Sequence, residues 1–379
     1  MYSIDSLDNV ELSPYKWATH IDKLSILAND GDVFPVTVEL DLVGYCNHNC
    51  GWCVDPLHIS DCFDFSFINQ LLTELKLLGV EGIVYKGGGE PTLYQYFANV
   101  IRETKKSGFE QGIVTNGSRL ITLYDSIVEN VNYLRVSIDG PGAESHQRIH
   151  RSNDFDSIIQ GIGSTIQLRN NLKQRHPVIG LSFAMDYSMI DLIDEAIKLG
   201  ENLCIDYVLL RPPFFEEVGR KNMMTAENKK ALLSAFNAKS KSYNGKMKIF
   251  IDYWISDSEV NEFFGTGESP RRGRYMQKQA NGIEHITGRC FASPLLAVIT
   301  ADKKIYPCCN LRYIEEWNIG TIDYEKGDTF EKIWRSNKRK EIINKIKNIK
   351  CIKYCTHPLS RYNEVIEYLK SPQYHKAFI

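Results

Sequence analysis

The 379-residue sequence has no apolar run near the ~20 residues of a membrane-spanning helix. Its 45 basic and 47 acidic residues nearly balance, so it lacks the basic field that nonspecific nucleic-acid binding requires. Its N-terminus does not show the basic-then-apolar order of a secretory signal peptide. We therefore expect a cytoplasmic protein that binds neither nucleic acid nor a membrane.

Cysteine is the residue type that stands out, with ten in a chain without a secretion signal. Because the cytosol keeps thiols reduced, this content indicates metal or redox chemistry more than disulfides. The rest of the composition is that of an ordinary globular protein, with 43% apolar and 24% charged residues. The length suffices for one large domain and a smaller one.

Three of the cysteines lie close together in Cys46-Asn-His-Asn-Cys50-Gly-Trp-Cys53, after an apolar run. Three thiolates at this spacing can cap three irons of a cubane cluster and leave the fourth iron open to a cofactor or substrate. A structural zinc site is the alternative, and it would need a fourth ligand. His48 is a candidate, but inside the short first spacer its side chain is poorly placed to converge with the three sulfurs.

Strand-like and helix-like segments alternate from Val36 to about Arg211. The predicted strands are Val36–Leu42, Ile83–Tyr85, Gly112–Thr115, Tyr133–Ile138, Ile179–Met185 and Ile205–Leu210. The clearest predicted helices are Phe67–Gly79, Asp156–Leu172 and Ser188–Leu199, the last ending at Gly200 as its C-cap. Six such repeats predict an α/β fold with parallel strands and right-handed crossovers, in the form of an open six-strand barrel. Polar or glycine-rich turns follow nearly every strand and should meet at one mouth.

The cysteine loop, with Trp52 before its last cysteine, resembles the cluster loop of the radical S-adenosylmethionine (radical SAM) enzymes. A second motif of that family follows in Tyr85-Lys-Gly-Gly-Gly-Glu90-Pro-Thr-Leu. The resemblance implies a partial (β/α)6 barrel in which Cys46, Cys50 and Cys53 hold a catalytic [4Fe-4S] cluster. It also implies that Trp52, Gly88, Gly89 and Glu90 contact the cofactor, with Glu90 at the methionyl amino group.

Two further cofactor contacts are implied by Leu134-Arg-Val-Ser137-Ile-Asp-Gly140 and the run that follows it. Ser137 matches the position at which related enzymes bind the cofactor ribose, although serine at a strand end is often only a turn former. Relatives continue with a histidine and, four residues later, an arginine for the methionyl carboxylate. Here His150 stands where that arginine is expected, so the carboxylate is met by His150 or by Arg148 or Arg151.

Three residues outside these motifs have open roles. Lys86 precedes the glycines and would hold an anionic group, accept a proton or be solvated at a strand end. Cys62 follows the cluster loop and is a candidate hydrogen-atom donor. Cys204 opens an apolar strand and is predicted to be a core thiol.

A second cysteine set lies in the C-terminal part: Cys290, Cys308-Cys309 and Cys351-Ile-Lys-Tyr-Cys355. Residues 298–306 before the cysteine pair read as a β-hairpin turned at Ala301–Lys304. The spacing resembles the SPASM or twitch modules that hold auxiliary [4Fe-4S] clusters. Four ligands fill one cluster, so a twitch form with Cys290, Cys308, Cys351 and Cys355 is expected. Cys308 is favoured over Cys309 because neighbours on a strand point to opposite faces, and zinc is again the alternative.

The predicted domains are an N-terminal extension (1–35), the core barrel (36–215), a connector (216–285) and a small α+β twitch/SPASM-like domain with a C-terminal helix (286–379). The resemblance implies that the cluster reduces bound S-adenosylmethionine, with an electron from flavodoxin or ferredoxin, and that a 5′-deoxyadenosyl radical then abstracts a hydrogen atom from the substrate. We expect dehydrogenation or epimerisation of a small polar substrate such as a sugar, cyclitol or aminoglycoside-like alcohol, because the 45 residues before Cys46 are too few for a leader-binding module. A maturase acting on a ribosomal peptide is the alternative, and a non-catalytic iron–sulfur or zinc protein is a further one.

Overall fold

The structure is a computed structural model that describes residues 16–53, 59–213, 225–251, 290, 293–346, 366 and 369–370. The chain divides into two compact units. The first, called here the sheet unit, comprises residues 35–253 and 296–334. The second unit comprises residues 1–34, 254–295 and 335–379. The domain boundaries expected from the sequence stay predictions.

Ten strands form the sheet of the first unit. They are β1 (Thr37–Leu40), β2 (Gly82–Tyr85), β3 (Glu110–Thr115), β4 (Tyr133–Ser137), β5 (Val178–Ala184), β6 (Tyr207–Arg211), β7 (Lys248–Ile251), β8 (Leu296–Ile299), β9 (Lys304–Tyr306) and β10 (Gly320–Thr321). Their order is β10-β9-β8-β1-β2-β3-β4-β5-β6-β7, and all neighbours from β8 to β7 pair in parallel. Strands β1 to β6 are the six predicted ones, so the α/β class with its parallel, partial-barrel sheet is confirmed.

Helices connect the parallel strands. The helices of the described chain are α1 (Ile21–Ala28), α2 (Phe65–Leu77), α3 (Phe97–Lys106), α4 (Leu120–Asn130), α5 (Ala143–His150), α6 (Phe155–Asn171), α7 (Ile193–Leu203), α8 (Ala226–Ser242), α9 (Phe330–Trp334) and α10 (Asn337–Ile346). The apolar stripe of α2, including Ile68, Leu71 and Leu75, is fully buried, as its period predicts. Gln111 of β3 donates hydrogen bonds from Nε2 to the backbone carbonyls of Ile101 in α3 and Asn130 in α4, so this buried side chain faces those two helices.

The predicted end of the helix before β6 is wrong. This segment begins as a 3-10 turn at Tyr187–Leu192, continues as α7 and ends three residues beyond Gly200. Cys204 is the cap, in the left-handed region with φ of 57°, and it is exposed and not a core thiol. Gly200 instead permits close packing, since a Cβ there would lie 2.6 Å from Sδ of Met247.

The hairpin predicted before Cys308 is confirmed, because β8 and β9 pair antiparallel with Val298 opposite Tyr306. Strand β8 also pairs in parallel with β1, with Val298 opposite Glu39. All four residues of β8 are buried, which its Leu-Ala-Val-Ile sequence explains. Strand β8 therefore lies between β1, which leads to the first cysteine loop, and β9, which leads to the second cysteine turn.

In the second unit, Arg339 of α10 is 2% exposed and donates from one guanidinium nitrogen to both carboxylate oxygens of Asp32, at 2.9 and 2.8 Å. Lys370 likewise contacts Asp30 at 2.7 Å. These ion pairs connect sequence segments more than 300 residues apart within this unit.

Among the described helices of the whole chain, none has both the length and the apolar character needed to cross a membrane.

Candidate active site

The first cysteine loop leaves the carboxyl end of β1 and is held on two sides by backbone hydrogen bonds. The amide of Glu90 donates to the carbonyl of Tyr45 at 2.9 Å, and the amide of Gly51 donates to the carbonyl of Ile149, near the end of α5, at 2.9 Å. The amide of Asn49 donates to the carbonyl of His150 at 3.2 Å. The loop is therefore fixed between the glycine motif and α5.

The three thiols of the loop are half-buried and close enough to affect one another. Burial raises the pKa of Cys46 to about 11, against a hydrogen bond from the His48 amide, and the charges of Glu90 and Cys53 raise it further. Burial, followed by the charges of Asp139 and the other two cysteines, also raises the pKa of Cys50. Such thiols keep their protons until a metal replaces them. Three clustered soft donors therefore fit a cluster with one open iron.

His48 belongs to this loop, and its imidazole is buried. Its Nε2 is 2.8 Å from Oδ2 of Asp154, and its Nδ1 is 3.2 Å from Nδ1 of His150. Among the described residues, groups of possible metal donors join His48 with Cys50 and His150, or with His146 and Asp154, but not with all three thiols. This arrangement favours a cluster over a zinc site that uses His48 as the fourth ligand.

The glycines of the second motif are required by close contacts. A Cβ on Gly88 would lie 2.4 Å from the ring of Tyr313, and one on Gly89 would lie 2.3 Å from the carbonyl oxygen of Tyr45. Gly87 has φ of 142°, and a Cβ there would collide with the carboxylate of Asp41. This motif therefore packs directly on the cysteine loop without room for side chains.

Glu90 is 3% exposed, and protein groups already occupy its carboxylate. Oε1 accepts hydrogen bonds from the Thr92 amide at 3.0 Å and from the Thr92 and Thr115 hydroxyls, both at 2.5 Å. Oε2 accepts from the Asn116 amide at 2.8 Å. Glu90 thus joins the end of β3 to the cysteine loop, a role that its sequence motif did not indicate. Its contact with a cofactor amine stays a prediction.

Trp52 and the end of β4 meet through Asp139, a residue to which no sequence motif assigns a role. Nε1 of Trp52 donates to Oδ2 of Asp139 at 3.4 Å, and Oδ1 accepts from the Ala184 amide at 2.7 Å. Burial alone would raise the pKa of Asp139, but His150 and the charge of Arg211 hold it below its usual range. The only sequence signal for this contact was the carboxylate of Asp139 in Ser-Ile-Asp-Gly, at the end of a predicted strand.

Ser137 ends β4 beside Ser182 of β5. Ser182 is 1% exposed, and its hydroxyl has no hydrogen-bond partner among the described residues. The binding of a cofactor ribose by Ser137 stays a prediction.

His150 is 2% exposed and lies against the cysteine loop. Its Nδ1 is 3.1 Å from Sγ of Cys50, and its ring stacks on His146 with centroids 4.5 Å apart. Its Nε2 is 3.2 Å from Oδ2 of Asp139, an ion-pair distance whose angles do not satisfy a hydrogen bond. Arg148 and Arg151, the alternatives for the methionyl carboxylate, are both exposed, and that contact stays a prediction.

The second cysteine set is described only in part. Cys290 belongs to the second unit and is half-buried, and Cys351 and Cys355 lie outside the described residues. Cys308 and Cys309 follow β9 on a turn, so the alternation of a strand does not choose between them. A hydrogen bond with Cys308 lowers the pKa of Cys309 to about 7 against the effect of burial, and Lys86 and Arg312 add to the lowering. The expected ligand set of the auxiliary cluster stays a prediction.

A layer of charged groups lies between the second cysteine turn and the glycine motif. Arg312 contacts Asp41 at 3.2 Å and Glu39 at 3.4 Å, and Nζ of Lys86 is 2.8 Å from Oε1 of Glu39. Oδ2 of Asp41 accepts hydrogen bonds from the Gly88 amide at 3.1 Å and the Tyr313 hydroxyl at 3.2 Å. Lys86 is therefore an ion-paired side chain of this layer.

Comparisons with known proteins agree with this geometry. Residues 41–180 match the family model of the radical SAM superfamily, and residues 290–357 match that of an iron-sulfur cluster-binding domain, SPASM. An S-adenosylmethionine-dependent nucleotide dehydratase of Thermoplasmatales archaeon (strain ISO4-H5) is 34% identical over 33% of this chain and 46% of its own length. The tungsten-containing aldehyde ferredoxin oxidoreductase cofactor-modifying protein of Pyrococcus furiosus is 34% identical over 45% of this chain and 49% of its own. The chain thus spans about half the length of these two relatives.

Solved structures share the fold. SuiB of Streptococcus suis, bound to its precursor peptide SuiA, superposes with a TM-score of 0.64 at 14% identity, over 94% of this chain and 79% of SuiB. The structure of anSMEcpe with bound AdoMet and a peptide gives a TM-score of 0.58 at 16% identity, over 88% of this chain and 96% of that one. At these identities the likeness concerns the fold alone.

Proposed function

This chain belongs to the radical SAM superfamily and has a SPASM-type iron–sulfur domain, and we propose that it abstracts a hydrogen atom from a small polar substrate to dehydrogenate or epimerise it. Cys46, Cys50 and Cys53 would hold the core [4Fe-4S] cluster. When bound there, the cluster supplies the electron for reductive cleavage of S-adenosylmethionine, which gives the 5′-deoxyadenosyl radical. Trp52, Gly88, Gly89, Glu90 and Ser137 are the proposed contacts of that cofactor.

One observation carries the proposal: the cysteine loop and the glycine motif pack against each other. The Glu90 amide donates to the carbonyl beside Cys46, and Gly89 fits only because it lacks a Cβ. A cofactor bound by the glycine motif would therefore lie next to the open iron of a cluster on the three thiols. The chain's own residues fix this proximity before any ligand binds.

Two observations support a small polar substrate. The names of several curated relatives refer to nucleotides, including the dehydratase above and a probable GTP 3',8-cyclase of Thermococcus kodakarensis, 24% identical over 60% of this chain and 76% of its own length. Glu39 and Lys86, at the carboxyl ends of β1 and β2, form an ion pair at 2.8 Å, and Arg312 also contacts Glu39, so a polar layer adjoins the glycine motif. A substrate bound beside this polar layer would be expected to carry polar substituents more than apolar ones.

Replacement of Cys46, Cys50 and Cys53 together by Ala tests the core site. We expect the loss of about four irons per chain and of S-adenosylmethionine cleavage with dithionite as reductant, while the auxiliary cluster stays. Cys62→Ala, which removes an exposed thiol outside the loop, is the matched control and should keep both. Formation of 5′-deoxyadenosine by the triple variant would contradict the assignment of the core cluster to these three cysteines.

The substrate class is tested separately with the wild-type enzyme and deuterated nucleotides, sugars and aminoglycosides. Transfer of deuterium from one of them into 5′-deoxyadenosine is the expected result. A dehydrogenase would release an oxidised product, whereas an epimerase run in heavy water would give product labelled from an exchangeable donor. Labelling only from a peptide, with a crosslinked product, would replace the small-molecule proposal by a maturase.

A further inference from the structure

We propose that His150 is a positioning residue of the core cluster: its Nδ1–H donates a hydrogen bond to the sulfur of Cys50, in a tautomer set by His48 and Asp154, and thereby raises the reduction potential of the cluster. The inference rests on the proposed function, because it takes Cys50 to be an iron ligand. It gives His150 a role different from the cofactor contact that the sequence predicts.

The contact itself is short and buried. Nδ1 of His150 lies 3.1 Å from Sγ of Cys50, within the range of an N–H···S hydrogen bond. The side chain is 2% exposed, and its ring stacks on that of His146 at an interplanar angle of 18°. Such packing fixes the ring plane, so Nδ1 keeps its direction toward the sulfur.

The tautomer follows from the neighbours of the three imidazoles. An iron-bound Cys50 has no proton and is only an acceptor, so Nδ1 of His150 must carry a hydrogen at this distance. Nδ1 of His48 lies 3.2 Å from the same nitrogen and is the second acceptor for that hydrogen. His48 is free to accept there because its other nitrogen donates to Asp154 at 2.8 Å.

His146 is the third histidine of this group and contacts Asp154 as well. Its Nδ1 is 3.1 Å from the carbonyl oxygen of Ile138, an acceptor only, and its Nε2 is 3.1 Å from Oδ1 of Asp154. Asp154 therefore lies between two histidines and holds His48 in the orientation that presents its Nδ1 to His150. The cluster loop and helix α5 are thus joined by side chains as well as by the backbone bonds of Asn49 and Gly51.

The expected consequence is electronic. A hydrogen bond to a cysteine sulfur withdraws electron density from the cluster and stabilises its reduced state, which is one of the ways in which proteins set iron–sulfur potentials. A methionyl carboxylate would need a donor from the same ring. In the Nδ1–H tautomer that hydrogen is directed at Cys50, and Nε2, which lies 3.2 Å from Oδ2 of Asp139, carries no hydrogen to donate.

The test compares His150→Leu with His150→Asn in the reconstituted full-length protein, without S-adenosylmethionine. Leu has no donor, whereas the amide nitrogen of Asn occupies about the position of Nδ1. The potential of the core cluster is read by electron paramagnetic resonance during a redox titration, after subtraction of the auxiliary signal recorded from the triple cysteine variant. His176→Leu, which replaces an exposed histidine before β5, is the matched control.

We expect His150→Leu to disfavour reduction about tenfold, a shift of about 59 mV for one electron, with core iron retained. His150→Asn should return most of the shift, and His176→Leu should show none. Pulsed resonance of protein labelled with ¹⁵N-histidine should show a nitrogen coupling that the Leu variant lacks. A purely structural role would instead change iron content in both variants without restoration by Asn.

Three results would overturn the inference. The first is an unchanged potential in His150→Leu with full core iron. The second is an unchanged potential with at least tenfold weaker S-adenosylmethionine binding by calorimetry, which would assign the carboxylate contact to His150 as the sequence predicts. The third is loss of core iron in both variants, which would make His150 a requirement for assembly. Failure of the proposed function is distinct, since wild-type protein would then bind no core cluster.

Discussion

The two cysteine segments of the sheet unit have opposite electrostatic surroundings. Burial raises the pKa of Cys46 to about 11, and its loop adjoins the carboxylates of Glu90 and Asp139. A hydrogen bond with Cys308 lowers the pKa of Cys309 to about 7, and the cations Lys86 and Arg312 lie nearby. Burial thus keeps Cys46 and Cys50 protonated until metal binds, whereas hydrogen bonding and positive charge stabilise a thiolate at Cys309 without metal.

Both segments nevertheless meet the same glycine motif. Gly89 packs on the backbone before Cys46, and Gly88 packs under the ring of Tyr313, four residues after Cys309. Asp41 binds the Gly88 amide and the Tyr313 hydroxyl together. A change in either cysteine segment is therefore expected to reach the proposed cofactor site through these glycines.

The largest effect expected from this comparison concerns iron in the second segment. Cys308→Ala should lose about four irons per chain, the content of one auxiliary cluster, while Cys309→Ala should change iron content little. The reason is that a fully ligated cluster cannot replace a missing sulfur. The measurement is iron and zinc analysis of reconstituted protein, with Cys204→Ala as an exposed-thiol control.

Two results of that measurement would contradict the auxiliary-cluster prediction. Iron loss from Cys309→Ala and not from Cys308→Ala would exchange the two roles. About four irons with bound zinc in the wild type would replace the second cluster by a zinc site.

In the metal-free, reduced protein at pH 7, we expect the rates of alkylation at Cys309 and Cys46 to differ about a hundredfold. Cys309 should react faster than Cys46, because a pKa of about 7 leaves much of it as thiolate and a pKa of about 11 leaves Cys46 almost fully protonated. As pH rises from 6 to 9, the rate at Cys309 should level off above its pKa, whereas the rate at Cys46 should keep rising. Mass spectrometry of iodoacetamide-treated peptides measures both rates, and equal rates would remove the contrast between the segments.

A smaller effect, about tenfold to a hundredfold in S-adenosylmethionine affinity, is expected for Glu90→Gln, since a hydrogen bond to a charged group contributes roughly 1.5–3 kcal/mol. The carboxylate of Glu90 accepts hydrogen bonds from the Thr115 hydroxyl and the Asn116 backbone amide. The side-chain NH2 group of the Gln variant would place a donor opposite one of these two donors. Calorimetric titration of the iron-loaded protein gives the affinity. Glu103→Gln, at an ion-paired carboxylate on α3 whose side chain is 40% exposed, is the control, and equal affinity in both variants would make Gly-Gly-Glu only a turn.

Much of the architecture was readable from local patterns. The six apolar runs became β1 to β6, and the hairpin turn before Cys308 lies where its residues predict it. The apolar runs predict these strands correctly because parallel strands are buried among neighbouring strands and therefore have mostly apolar side chains. The predicted end of α7 at Gly200 was wrong because this glycine does not end the helix. It allows close packing against Met247, a residue 47 positions away.

The proposed site shows the same division. The spacing of Cys46, Cys50 and Cys53 already predicted three soft donors for a metal cluster, because thiolate chemistry is local to those residues. The imidazole contact with Cys50 joins residues 100 positions apart, and the contact of His48 with Asp154 joins residues 106 apart. The sequence around Asp154 contains no motif that predicts this contact with His48.

The sequence by itself determined the kinds of ligand, the parallel α/β sheet and the motifs that meet at its carboxyl edge, because these depend on residue chemistry and on short-range periodicity. Only the tertiary structure decided which groups surround the thiols: the histidines and Asp154 at the first loop, and Lys86 and Arg312 at the second cysteine turn. It also gave the carboxylate of Glu90 its partners at the end of β3. The physical reason is that burial and electrostatic environment arise from the packing of distant segments, which no local pattern encodes.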